Sequence, residues 1–189
     1  MRDTARGRIA VFCGASAGVD PSTVERARAF GAAIATRGWG VVYGGASVGL
    51  MGAVADGALS AGGEVIGVIP HSLARREIAH HGLTELLRVD SMHARKAAMA
   101  DRSRAFVALP GGFGTLDEIF EALTWSQIGL HDKPCALLSW DDFFAPLVAF
   151  LDHATSAGFV RPEYRSMLWV DRDSAALLDR LAPVLDAPR

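Results

Sequence analysis

The sequence predicts an α/β protein built on a doubly wound, mostly parallel sheet with helices on both faces. Three observations predict it. Short apolar runs and longer stretches of helical periodicity alternate about seven times along the 189 residues. The short runs are continuously apolar rather than alternating, as strands covered on both faces are. Three of the runs end in glycine-rich turns that lead towards a helix.

In chain order, Arg8 to Cys13 is the first buried strand and Gly14 closes it. Pro21 to Arg37 is a helix, with Val24, Ala27, Phe30, Gly31 and Ile34 at helical spacing. Pro21 suits its first turn and Gly38 its stop. Trp39 to Tyr43 is the second strand, ending in Gly44-Gly45. Ser47 to Ala61 is a helix stopped by Gly62-Gly63, and Glu64 to Ile69 a strand closed by Pro70. His71 to Gly82 is polar and irregular and receives no element. Leu83 to Val89 reads as a strand, Ser91 to Arg102 as a helix, and Ala105 to Leu109 as a strand running into Pro110-Gly111-Gly112. Thr115 to Gln127 is a helix, Cys135 to Ser139 a strand, and Asp142 to Ala157 a helix. Met167 to Val170 and Ser174 to Leu185 supply the last strand and helix.

Composition narrows the function. With 50% hydrophobic and 21% charged residues, the chain can bury enough apolar surface to order its backbone, which excludes intrinsic disorder. No break, tract or repeat divides it, so residues 1–189 read as one domain. No apolar run approaches the roughly 18 residues of a membrane span, and the N-terminus passes straight into the first strand without a signal-peptide pattern. A net charge of −2 argues against nucleic acid or an anionic membrane as partner. The two cysteines, Cys13 and Cys135, make no disulfide framework and read as buried hydrophobes. The six histidines lack metal spacing. The expected compartment is the cytoplasm.

The chemistry belongs beyond the carboxyl ends of the strands. The three glycine turns there are Cys13-Gly14-Ala15-Ser16-Ala17-Gly18, the stretch from Gly44 to Gly52, and Pro110-Gly111-Gly112-Phe113-Gly114-Thr115. Each aims backbone amides at a guest, and a helix dipole behind them favours phosphate. The second turn reads G-x-x-x-G-x-x-G from Gly45, with no acidic residue closing strand two, and no Walker G-K-[ST] occurs. A small monophosphate therefore fits better than a dinucleotide or a triphosphate. Thr115 and Glu118 have capping-box spacing, which would make Glu118 a local structural residue. The alternative is a carboxylate held ionised beside a phosphate ester; Glu121, one turn on, is the weaker candidate for that role. Arg95 and Lys96 lie early in their helix, against the dipole, as cations facing an anion would. Lysine occurs only at Lys96 and Lys133, so lysine chemistry has two candidates.

Together, YGGASVGLMG, SMHARKAAM and LPGGFGTLDE resemble the LONELY GUY family, cytokinin riboside 5'-monophosphate phosphoribohydrolases that have also carried a lysine decarboxylase label. The likeness runs from CGAS near Cys13 to the helix after Thr115. Ala15 stands where serine is usual, Ala46 where a third glycine is common, and Asp117 where glutamate is frequent. The resemblance implies a Rossmann-like fold, a homodimer, no metal or organic cofactor, and Arg95 and Glu118 as catalytic residues. It implies a substrate and phosphate set of Gly45, Ser47, Met92, Lys96, Gly111, Gly112, Phe113, Gly114 and Thr115. The reaction implied is hydrolysis of the N-glycosidic bond of an adenosine 5'-monophosphate. Glu118 would stabilise an oxocarbenium-like transition state, and Arg95 would bind either the phosphate or the departing purine. A non-catalytic nucleotide or cofactor carrier of the same fold is the alternative.

Overall fold

All seven strands of the sheet run in the same direction. They are β1 (Arg8–Phe12), β2 (Gly40–Tyr43), β3 (Val65–Pro70), β4 (Glu85–Val89), β5 (Ala105–Ala108), β6 (Cys135–Leu138) and β7 (Leu168–Asp171). Their order is β4-β3-β2-β1-β5-β6-β7, every neighbouring pair parallel. The structure is a computed structural model that describes residues 7–74 and 79–188. β1 sits centrally, with Ile9 opposite Val41 on one side and Ala105 on the other. The expectation of a mostly parallel sheet is met by a fully parallel one among the described residues.

Alternation along each strand divides the apolar side chains between two cores. Ile9 and Val11 point to one face, where α1 (Ser22–Thr36), α2 (Gly49–Ser60) and α8 (Ser174–Leu185) pack with Phe30, Ile34, Val54, Leu178 and Leu181. Ala10 and Phe12 point to the other, under α4 (Met92–Asp101), α5 (Phe113–Gln127) and α6 (Ala145–Ser156), with Met99, Ile119 and Leu151. This two-sided cover explains why the inner strands are apolar along almost their whole length. Among the described residues, no helix is long and apolar enough to cross a membrane.

Local differences from the sequence reading have local causes. Ser91 caps α4 as its position suggests, its Oγ accepting from the Ala94 amide at 3.1 Å. α5, in contrast, starts at Phe113 with Gly112 as its cap, two residues before Thr115. The unassigned stretch from His71 holds a short helix, α3 (His71–Ala74), and an isolated bridge from Ala79 to Ala46; residues 75–78 of that stretch lie outside the described residues. The helix expected from Asp142 starts only at Ala145. A 3-10 turn, Trp140–Asp142, precedes it, and Asp141 and Asp142 hold positive φ values of 50° and 60° that an α-helix cannot include. A four-residue helix, α7 (Pro162–Arg165), opens on a proline and is too short to leave a periodic signal.

Phe106 is the aromatic anchor of the second core. It is 1% exposed, stacks on Phe12 at 6.0 Å and lies under the Lys133 ammonium at 5.9 Å. Phe106→Ala should lower stability by about 3–5 kcal/mol, read from the midpoint of urea unfolding at unchanged slope.

Candidate active site

The order of strand addition reverses between β1 and β5. Their last residues pair, Phe12 with Ala108, and the Gly14 amide then donates to the Pro110 carbonyl at 3.1 Å. Beyond that bond the chain leaves towards α1 on one face and α5 on the other, opening the crevice in which ligands of such sheets bind. A cavity of about 450 Å³ lies there. Gly14, the turn from Ser16 to Asp20, Leu50, Pro110 to Gly112, Trp140 and Phe143 line it.

The N-terminus of α5 faces this edge. Its first-turn amides have no partner within the helix, and the N-cap residue, Gly112, brings no side chain to them. The expected capping box is therefore absent: Thr115 stands inside the first turn, 3% exposed, and Glu118 one turn further, 9% exposed. Burial of Glu118 has to be explained by something other than a cap. Gly111 is required by the same packing, because a Cβ there would collide with Thr115 Oγ1 and lie 2.9 Å from the Gly14 nitrogen. Gly112, Phe113 and Gly114 are exposed around the amides.

Arg95 reaches Glu118 from α4. Arg95 Nη2 lies 3.5 Å from Glu118 Oε1, with both side chains at most 10% exposed. Nη1 approaches Met92 Sδ at 3.9 Å, and Nε is buried without a hydrogen-bond partner. A buried guanidinium nitrogen without a partner calls for an explanation beyond packing. Gly44 makes room for this arrangement: a Cβ on it would overlap Arg95 Nη2 and stand 2.9 Å from Met51 Sδ. Cys13 is close enough to feel both charges. Burial pushes its thiol pKa up, Glu118 adds to that and Arg95 opposes it, so the thiol stays protonated. Cys135 is likewise pushed up to about 12 by burial.

The second basic residue is placed differently. Lys96 Nζ lies 3.0 Å from Asp117 Oδ2 and 3.0 Å from Glu121 Oε2, and its side chain is 10% exposed. Burial alone would lower its pKa, but hydrogen bonds and charges from Glu121 and Asp117 outweigh this and raise it. Its ammonium is thus directed to α5 rather than outwards.

Ser47 and Met92 are exposed at the edge. Gly45 is buried at φ +83°, its carbonyl accepting from the His80 amide, and belongs to the turn. Ala46 has no positive φ, so the alanine found in place of a glycine leaves this turn intact. Sequence reasoning placed Gly44 in a glycine turn without its contact to Arg95, and missed Trp140 and Phe143; all three matter through neighbours distant in the chain. Gly44→Ala should displace the guanidinium with little loss of stability. If the pair carries function, turnover falls at least about tenfold while the unfolding midpoint moves little.

Comparison with known proteins gives the chain relatives over most of its length. Residues 51–181 match the family model described as "Possible lysine decarboxylase". A cytokinin riboside 5'-monophosphate phosphoribohydrolase of Rhodococcoides fascians is 51% identical over 166 residues, 87% of this chain and 84% of that one. Another, from Arabidopsis thaliana, is 45% identical over 161 residues, covering 85% of this chain and 76% of that protein. Among solved structures, the molybdenum cofactor carrier protein of Chlamydomonas reinhardtii superposes with a TM-score of 0.73 at 25% identity, over 96% of this chain and 99% of its own. The chain belongs to the LONELY GUY family of cytokinin riboside 5'-monophosphate phosphoribohydrolases, the family whose model carries the decarboxylase description.

Proposed function

We propose that the protein hydrolyses the N-glycosidic bond of adenosine 5'-monophosphates, including N6-modified ones, to the free base and ribose 5-phosphate. One observation carries the reading: a buried arginine–carboxylate pair lies close to Cys13 at the end of β1, one turn into α5 from its glycine N-cap. The amides from Gly112 to Thr115, with Ser47, hold the 5'-phosphate, and Met92 borders the bound nucleotide. Binding energy from the phosphate positions the ribose. The bond from the anomeric carbon to the purine breaks with its electron pair leaving on the base, which takes up a proton. Positive charge builds on the sugar, where the Glu118 carboxylate stabilises it and orients the water whose hydroxyl ends on the anomeric carbon. Arg95 offers its unused donors to the nucleotide.

The decarboxylase description does not fit the lysines. Pyridoxal phosphate needs a lysine amine free to form a Schiff base. Lys96 is held by two carboxylates, and Lys133 Nζ donates to the Ala100 carbonyl at 2.7 Å. The two buried thiols suit a reducing compartment, and we assign the protein to the cytoplasm.

Glu118→Gln tests the mechanism, because it removes the charge and keeps the shape. Release of adenine from AMP should fall at least about 100-fold while AMP affinity stays within a few-fold. Retained turnover would leave the carboxylate a structural role only. The assembly proposed is a homodimer with the sites near the subunit boundary. Phe113, 94% exposed, and Met92, 40% exposed, stand beside the site as apolar groups that a second copy would cover. Light scattering at low micromolar concentration should give twice the 20.0 kDa chain mass; one chain mass with full activity excludes an obligate dimer.

A further inference from the structure

The first turns of α5 carry three carboxylates, Asp117, Glu118 and Glu121. Glu118 and Glu121 are three residues apart, on neighbouring positions of the helix surface, roughly 5–6 Å between Cβ atoms. Left unopposed, each added negative charge makes ionisation of Glu118 harder. α4 meets them with two cations in succession. Consecutive helical residues point about 100° apart, so the two cannot serve the same carboxylate equally. Arg95 turns to Glu118, and Lys96 turns to the pair on either side of it.

We infer that Lys96 is a positioning residue for Glu118, clamping α4 to α5 and cancelling the carboxylate charges that flank the catalytic one. The inference rests on the catalytic role proposed for Glu118. It differs from a phosphate-binding role for Lys96, because both of its close contacts are protein carboxylates and little of its side chain is exposed.

Exposure decides which contact matters more. The Asp117 side chain is 59% exposed and screened by water, whereas that of Glu121 is 23% exposed. Glu121 Oε2 is itself buried, with the Lys96 ammonium 3.0 Å away. Glu121 is therefore the charge that Lys96 must neutralise.

The charge that Lys96 opposes gives the direction of the change. Arg95 approaches from α4; Cys13 at the end of β1 is a protonated thiol; Asp117 and Glu121 lie on the same helix. With Lys96 made neutral, Glu121 faces Glu118 uncompensated, and Glu118 needs a higher pH to ionise. Since the reaction needs the carboxylate, the acid limb of the pH profile must move up.

The test uses the full chain in three variants, Lys96→Met, Glu121→Gln and the double substitution. Two readouts are followed: the pH dependence of kcat and KM for AMP, and the ¹³C titration of the Glu118 carboxyl in the resting protein. Lys96→Met should raise the Glu118 midpoint by about one pH unit and lower kcat about tenfold on the acid side. KM for AMP should stay within about twofold. Glu121→Gln should move the midpoint down, and the double variant should return it close to wild type. A tenfold rise in KM with an unmoved midpoint would make Lys96 a phosphate ligand and overturn the inference. An unmoved midpoint in Glu121→Gln overturns it even if Lys96→Met does not fold. The carboxyl titration needs no turnover: a wild-type protein that releases no adenine refutes the proposed function, while the titration still decides the role of Lys96.

Discussion

Between β1 and β5 the chain changes the side of the sheet on which it adds strands, and this reversal leaves a crevice at their carboxyl ends. Parallel strands put every strand-to-helix turn on one edge, so turns from β1, β2 and β5 converge there. Their closeness dictates small residues. The bond from Gly14 to Pro110 brings two turns together, and Gly111 has no room for a side chain between Thr115 and Gly14. Of the glycines that look like a phosphate motif in sequence, Gly111 is thus required by packing, whereas a Cβ on Gly112 or Gly114 would meet open space.

Two ion pairs of similar burial show how the site differs from the scaffold. Arg8 meets Glu64 through two contacts, Nε to Oε2 at 2.6 Å and Nη2 to Oε1 at 3.1 Å, with side-chain exposures of 12% and 9%. That geometry recovers much of the cost of removing both charges from water. Arg95 and Glu118 are as deeply placed, at 9% and 10%, but 3.5 Å apart, longer than a charge-assisted hydrogen bond. A buried pair this loose is poor value as a structural device, since apolar side chains of the same volume would stabilise the fold as well or better. On the arginine's side the pairing leaves Nε buried without a hydrogen-bond partner.

Much of this was legible in the residues. The seven apolar strands and their helices were readable because both faces of the sheet are covered, which imposes continuous apolar runs that local periodicity detects. Arg95, Glu118 and the turn from Gly111 to Thr115 stood out because motif and strand end coincide. The capping box was misread for a physical reason: Thr115 and Glu118 have the right spacing, but Gly112 already starts the helix, and spacing alone does not say which residue leaves helical geometry. The partners of Lys96 were hidden because Asp117 and Glu121 lie 21 and 25 positions further along the chain. The wall formed by Trp140 and Phe143 was hidden for the same reason, and Asp141 and Asp142 give no sequence sign of their left-handed backbone.

The fold by itself does not separate an enzyme from a carrier. A molybdenum cofactor carrier protein shares nearly the full length of this architecture at 25% identity, so strand order and glycine turns are compatible with binding alone. The difference must lie in groups that binding does not need. An anion site is complete with amides and a cation; a carboxylate beside it repels the phosphate and weakens binding unless it does something else. Here that carboxylate is buried and faced by a guanidinium. Its two acidic neighbours are opposed by a dedicated lysine. Keeping a negative charge next to an anion site is unfavourable for a carrier and useful where positive charge develops on a bound sugar. It is the charge arrangement across α4 and α5, rather than the sheet beneath it, that argues for catalysis.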